Sequence, residues 1–435
     1  MRRSSLKYLL AIMLLPFVAN SQDLLTLDEA IRIGLENSFS IRIARNEVAI
    51  ARNNNTAGNA GLLPRLDVNV NQNNTFQNRQ FEYENDETHT DKGYNTHSLT
   101  SGAQLAWTLF DGFAMFIRKE KLGIYQQQSD LQLRLAVENT VADIVYTYYS
   151  IAFNENLCKS YKDLMELSQQ RLAIAREKSD IGLGYELQEL QSEVDFRADS
   201  ARYIQQASYL INLKADLNRL LARQPNVKFS VNKSIPVPHT EMYTDVYLKI
   251  RELNPSLLFA RLQAQVADLE VNEAKASRYP TVNLLGAYNF SRVGTPSAQT
   301  QVSLIHGPAV GIGASITLFN GYNANRRIKN AAIAAQNVML SKEELNLNLH
   351  SRAFQLVNNL NQAIELILVE EKSVKLAQRN AEAAWEKYQL GAISDIELRE
   401  SQNKLLDAQT RLISAQMTAQ VAAIEIKTLT GNLSS

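Results

Sequence analysis

Few residues in this chain could do chemistry. His89 and His97 stand in a polar stretch with Glu82, Glu84, Asp86, Glu87 and Asp91. That composition could bind a metal ion, but it reads as a solvated loop. Cys158 is the single cysteine, so no internal disulfide is possible, and on a long helix it reads as a packing residue. Glu397 and Glu400 lie three residues apart in a helical stretch, so their carboxylates share a face. Such a pair either attracts cations or is simply solvated. There is no nucleotide-binding loop, zinc-type His/Cys cluster or nucleophile elbow. The chain is therefore expected not to be an enzyme and to need no cofactor or metal. With 45 basic and 45 acidic residues its net charge is zero, which implies no nucleic-acid partner.

The elements that would position these residues occur twice. Leu109-Phe110-Asp111-Gly112 recurs as Leu318-Phe319-Asn320-Gly321, and Leu63-Pro64-Arg65-Leu66 recurs loosely as Tyr279-Pro280-Thr281-Val282. Gly182 and Leu220 have counterparts in Gly391 and Leu429, each 209 residues on (391 − 182, 429 − 220). A repeat this long is a duplicated half-molecule, not a solenoid module, whose period is about 20 to 50 residues. Before the first half, Arg2, Arg3 and Lys7, the apolar run Tyr8–Val18 and the small residues Ala19-Asn20-Ser21 read as an export signal over 1–21.

Each half has the same order of parts. In the first, Thr26 and Glu29 form a capping-box signature that opens a helix, within a helical segment spanning 22–64. Period-two alternation in Leu66, Val68 and Val70 predicts a strand, Gln72–Thr96 reads as a polar loop, and Leu99–Phe110 predicts a second strand. This strand pair occupies 65–112. A helical hairpin over 113–222 follows, broken at Gly182 and Gly184, and a proline-marked linker covers 223–243. The second half repeats this as a helix over 244–279, a strand pair over 280–321 with a loop near Ser291–Gly307, and a hairpin over 322–430 broken at Gly391, before the tail at 431–435.

The long helices have about 70 residues, roughly 100 Å at 1.5 Å per residue. Two shorter helices laid end to end reach about the same length. In the second long helix, Leu349, Leu356, Leu360, Ala363, Ile367, Val374, Ala377, Ala381, Ala384 and Tyr388 recur at the coiled-coil period. Four amphipathic strands cannot close a barrel, and an open sheet leaves unpaired edges. Closure needs several chains, and three would give twelve strands, within the outer-membrane range. Trp107, Phe110, Phe113, Phe319 and Tyr322 then fall at the inner ends of the strands as a membrane-interface girdle. The fold class is thus a mixed one: outer-membrane β-strands that close a barrel between chains, with long α-helical coiled-coil hairpins, internally duplicated. The alternatives are a periplasmic coiled-coil adaptor and a structural stalk protein.

These motifs in this order give the chain a resemblance to the TolC-like outer-membrane efflux protein family. The resemblance is carried by Leu25-Thr26-Leu27-Asp28-Glu29-Ala30, Glu36-Asn37, Gly61-Leu62-Leu63-Pro64, Asn254-Pro255-Ser256-Leu257 and the duplicated Leu-Phe-Asp/Asn-Gly. It implies a homotrimer in outer-membrane lipid, with a twelve-stranded membrane β-barrel and a long α-helical coiled-coil barrel that extends into the periplasm. It also implies a periplasmic adaptor protein and an inner-membrane pump as partners in a tripartite efflux or type I secretion system. The family closes its periplasmic aperture at the helix-hairpin tips, here around Gly182, Gly184 and Gly391. Glu397 and Glu400 fall where the family often has pore-narrowing aspartates; in a trimer they would form two rings of three carboxylates, whose mutual repulsion makes protonation easier. Tyr388 is retained, Gln188 stands where an acidic latch residue would be, and Ile393 stands where some members have arginine. A Tyr388–Gln188 hydrogen bond is what the resemblance leaves of a latch.

Overall fold

A computed structural model describes residues 24–84, 87–181, 186–295 and 301–432. The export signal expected at 1–21 lies outside them. In chain order the elements are β1 (Leu24–Leu25), α1 (Leu27–Asn37), α2 (Phe39–Asn54), α3 (Ala57–Ala60), β2 (Arg65–Glu82), β3 (Thr88–Asp111), α4 (Ala114–Asp180), α5 (Glu186–Leu220), β4 (Ser230–Val231), α6 (Tyr243–Leu253), α7 (Pro255–Ala276), β5 (Thr281–Gly294), β6 (Val302–Ser315), α8 (Asn323–Gln389) and α9 (Asp395–Thr430). They fall into two compact units. One takes in the chain up to Arg42, Ala136–Ile250 and Ser351 onward; the other takes in Ile43–Leu135 and Arg251–His350. No described helix is long and apolar enough to cross a membrane.

The duplication is exact in the long helices. α4 and α8 have 67 residues each, and both their starts (323 − 114) and their ends (389 − 180) differ by 209. The motif before each helix explains the match. Gly112 and Phe113 both have positive φ (71° and 70°), as do Gly321 and Tyr322 (65° and 62°). Two successive left-handed residues reverse the chain at the helix entrance, and glycine carries the first at least cost. Asp111 Oδ1 then accepts from Met115 N (3.0 Å), and Asn320 Oδ1 accepts from Ala324 N (3.2 Å). Asp/Asn is thus required as an acceptor for the helix's free N–H groups. A Cβ on Gly112 would come within 2.4 Å of Ala276 O, so this position also needs glycine for space.

Among its described residues, the regular structure of the first unit is helical apart from one short parallel pair, β1 with β4. Its core joins Ala30 of α1, Ile144, Tyr148 and Ile151 of α4, Leu217 and Leu221 near the end of α5, and Phe229 and Val231 of the segment that follows. Gly34 lets α1 approach α4 closely: a Cβ there would sit 2.1 Å from Ile144 Cδ1. Tyr148 Oη donates to Leu25 O (3.0 Å) and accepts from Asn232 N (3.1 Å), which ties both strands of the pair to the long helix. We expect Tyr148→Phe to orphan both backbone groups and to cost about 1–2 kcal/mol, read as a lower urea midpoint with unchanged slope. On α8, Leu349, Leu356, Leu360, Ala363, Ile367 and Tyr388 are buried, whereas Val374, Ala377, Ala381 and Ala384 are half-buried, so within the chain the heptad stripe is fully packed over only part of its length.

The second unit carries a four-stranded antiparallel sheet in the order β2-β3-β5-β6. Residues directly opposite share a face. One face carries Leu66–Leu105, Val68–Ala103–Tyr288 and Val70–Ser101–Phe290; the other carries Asn69–Gly102–Asn289 and Asn71–Thr100–Ser291. One side is thus apolar and the other polar and nearly uncharged. The Asp111 carboxylate pairs with Arg118 (2.5 Å) and Lys121 with Glu273 (2.9 Å), which fixes α4 within this unit.

Four readings of the sequence change. Gln72–Thr96 is mostly strand, because β2 runs to Glu82 and β3 begins at Thr88. The alternation fades there since both faces turn polar while the backbone ladder continues. His89 and His97 are accordingly strand residues. The loop expected at Ser291–Gly307 is shorter, since β5 runs to Gly294 and β6 begins at Val302. The helices expected over 22–64 and 244–279 are each divided: α1 stops before Ser38, and α7 starts afresh at Asn254, whose Oδ1 accepts from Leu257 N (2.9 Å) ahead of Pro255. Finally, β6 ends at Ser315, so Leu318 and Phe319 are not strand residues.

Candidate functional site

The hairpin tips gather the sequence-predicted polar residues. α8 ends at Gln389, Gly391 adopts φ 70°, and α9 begins at Asp395. Gly182 and Gly184 lie outside the described residues. Ser394 caps α9 in a reciprocal box: its N and Oγ both donate to Glu397 Oε2 (2.8 Å each), and Glu397 N donates back to Ser394 Oγ (3.3 Å). These bonds hold the Glu397 carboxyl below its ordinary range, the Ser394 backbone bond contributing most. Within a single chain this reverses the easier protonation anticipated for Glu397. Glu400 is exposed and pairs with Lys404 one turn on (2.7 Å).

Tyr388 is buried, with the Lys178 ammonium 4.9 Å from its ring centre. Its hydroxyl is pushed up to about 12, chiefly by burial and then by the nearby Asp395 carboxylate. Asp395 and Gln188 lie beside it, but no partner meets hydrogen-bond geometry at Oη. The expected Tyr388–Gln188 bond is therefore not formed, and Asp395 is the stronger neighbour.

Behind these residues lies a charge network that sequence reasoning missed. Arg171 of α4 is fully buried. Its Nη2 donates to Asp195 of α5, and its Nε lies 3.4 Å from Asp395 Oδ1 of α9. Arg399 of α9 forks onto Asp199 of α5, Nη1 to Oδ2 at 2.7 Å and Nη2 to Oδ1 at 2.9 Å. Ser168 of α4 also donates to Asp199. Bidentate guanidinium–carboxylate pairing is the stronger form of ion pair. Burial works to lower the Arg399 pKa, but the Asp199 bond and the charges of Asp199, Asp195 and Asp395 raise it overall. Asp395 is raised, because burial outweighs the opposing pull of Arg171. Arg171 Nε and Nη1, Ser192 Oγ, Asp395 Oδ1, Ser401 Oγ and Gln402 Oε1 are buried here without hydrogen-bond partners. This slice therefore joins three helices by charge while leaving much polar capacity unused. An open groove of about 640 Å³ between α5 and α9, lined by Leu187, Leu190, Val194, Ile396 and Arg399, runs beside it.

The aromatic residues sit in the other unit. Phe110 meets Phe113 edge-to-face at 5.1 Å, and Phe319 meets Tyr322 in the same way at 5.5 Å. Trp107 Nε1 donates to Leu62 O (3.0 Å). Trp107 shares its sheet face with Leu105, but Leu109, the next residue of that alternation, falls in a bulge and Phe110 takes its place opposite Val282. Among the described residues no group of His, Cys, Asp or Glu is arranged to hold a metal.

Comparison with known proteins agrees with this architecture. The family model described as "Outer membrane efflux protein" matches residues 246–432. The outer membrane protein TolC of Salmonella enteritidis is 22% identical over 354 residues, 78% of this chain and 70% of that protein. The Campylobacter jejuni CmeC outer membrane channel superposes with a TM-score of 0.77 at 14% identity, covering 93% of this chain and 85% of that one. The Vibrio cholerae outer membrane protein VceC gives 0.72 at 16%, covering 93% and 96%. With the duplicated hairpins and the two-faced sheet, these likenesses show the fold of the outer-membrane channels, a match of residues 246–432 to the outer membrane efflux protein family, and a resemblance to TolC over most of the chain.

Proposed function

We propose that three copies of this chain close a twelve-stranded barrel in outer-membrane lipid and continue as a helical conduit into the periplasm. The conduit receives cargo from an inner-membrane pump through a periplasmic adaptor protein and gives it passive exit. The observation that carries this reading is the open sheet: β2 and β6 are edge strands with no further partner strand among the described residues, and unpaired edges have no place in hydrocarbon. Its apolar face suits lipid, and its nearly uncharged face suits a water-filled lumen. Trp107, Phe110, Phe319 and Tyr322 would mark the inner membrane interface. Tyr388, Gln188, Glu397 and Glu400 would frame the periplasmic aperture, with Gly182, Gly184 and Gly391 at the hairpin tips.

Crosslinking and sedimentation in mild detergent should give three copies per particle. A monomer in the soluble periplasmic fraction would sink the reading. With Trp385 replaced by phenylalanine, Trp107 becomes the sole tryptophan of the two, and lipid-attached quenchers should reach it in the reconstituted trimer.

A further inference from the structure

Where all four strands pair, the apolar face of the sheet holds one permanent charge. Between the row Trp107–Leu284–Ile312 and the row Asn74–His97–Gly294–Val302, only Arg292 on β5 is charged on this side. It stands opposite Leu99 and Leu304, is exposed, and has no hydrogen-bond or ion-pair partner among the described residues. An unpaired guanidinium on an otherwise apolar face is costly unless something outside the chain meets it.

Its height narrows what that is. Phe110 and Val282 share a row at the end of the sheet that leads into the helices, and Arg292 lies ten residues along β5 (292 − 282). At about 3.3 Å per residue and a tilt of about 40°, that is about 25 Å, the height of the apolar band of an outer-membrane barrel. Arg292 thus stands at the opposite rim from the aromatic residues, on the side of the hairpin turns. His306, diagonal to it on β6, places Nδ1 3.4 Å from Tyr288 Oη, and Nε2 has no partner among the described residues. A guanidinium fork matches the paired oxygens of a phosphate.

We infer that Arg292, with His306 as second donor, binds a phosphate-bearing lipid headgroup of the outer leaflet, once per chain around the barrel. This rests on the proposed outward orientation of the apolar face. The test uses the full mature chain as a purified trimer in phosphatidylcholine nanodiscs containing diphosphorylated lipid A or its dephosphorylated form, with retained lipid counted by native mass spectrometry. The trimer should retain the phosphorylated lipid selectively. Arg292→Leu, which suits a lipid-facing strand, should weaken retention about tenfold, the loss of one charge-assisted bond, while Arg292→Lys keeps most of it. Unchanged retention in Arg292→Leu overturns the site. Displacement by inorganic phosphate at equal concentration overturns the lipid as its source. Phe290→Trp, in a chain whose two native tryptophans are replaced, separates this from failure of the orientation. Quenching by nitroxide lipids with no Arg292 effect sinks the site alone, and an unquenched tryptophan sinks the orientation with it.

Discussion

Arg171→Leu should loosen the hairpin tips more than any other single change. The guanidinium is fully buried and lies between Asp195 and Asp395. Removing one member of a buried charge cluster leaves the others desolvated and unpaired, at a cost of about 3–5 kcal/mol. The loss should be local, because the network joins α4, α5 and α9 at one level only. Hydrogen exchange of the backbone around 168–178 and 395–402 should therefore rise far more than exchange around the core at Tyr148. Adding Asp395→Asn should recover part of the loss, since one orphaned carboxylate then disappears. If the single variant exchanges like the parent, the network carries no stability.

The same network sets the sign of a pH effect. Burial raises the Asp395 pKa in the folded chain, so the fold holds that proton more tightly than the unfolded chain does. The corresponding stability is complete below the ordinary aspartate range and is lost as pH rises through the raised value. Mild acidification should therefore tighten the tips. Asp195 and Asp199 on α5, Arg171 on α4, Arg399 on α9 and Tyr388 with Lys178 nearby complete the charged surroundings. Glu397 works in the opposite direction, its contribution being lost as pH falls from the ordinary glutamate range through its own lowered value, so it does not mask the trend above the ordinary glutamate range. Asp395→Asn should flatten the dependence.

The parts of the fold that depend on repetition could be read in the sequence. The Leu-Phe-Asp/Asn-Gly motif marks a left-handed turn and a helix cap whose chemistry requires those residue types, and it fixed both long helices. What escaped notice were residues that break the repeat. Arg171, Asp199 and Arg399 correspond, 209 positions away, to Asn380, Ala408 and Leu190. Charges on long helices ordinarily read as solvated, and nothing in their local spacing distinguishes these. Their signal was the contrast with an uncharged counterpart in the other half. The polar ends of β2 and β3 were missed for a different reason: where both faces are polar, alternation vanishes although pairing persists.

Replacing both Glu397 and Glu400 with glutamine should reduce cation selectivity and block by multivalent cations several-fold in planar-bilayer recordings, as loss of a charged ring does. Glutamine is the choice here because of the capping box. Its side-chain oxygen can still accept from Ser394, as Glu397 does now, so charge is removed while the start of α9 keeps its geometry. Alanine at the same positions removes the cap as well, at about 1 kcal/mol, and so mixes two effects. The two sites should not contribute equally. Glu400 already has Lys404 at 2.7 Å, which offsets part of its field, whereas among the described residues the Glu397 carboxylate accepts hydrogen bonds from the neutral Ser394 alone. Glu397→Gln alone should therefore account for most of the double variant's effect, and Lys404→Gln should strengthen cation preference in the parent. Neither change should open the channel fully, since Arg171, Arg399 and their three aspartates still hold the tips together. If the glutamine pair conducts with unchanged selectivity and unchanged block, these glutamates serve the helix cap and the surface, and the aperture lies elsewhere.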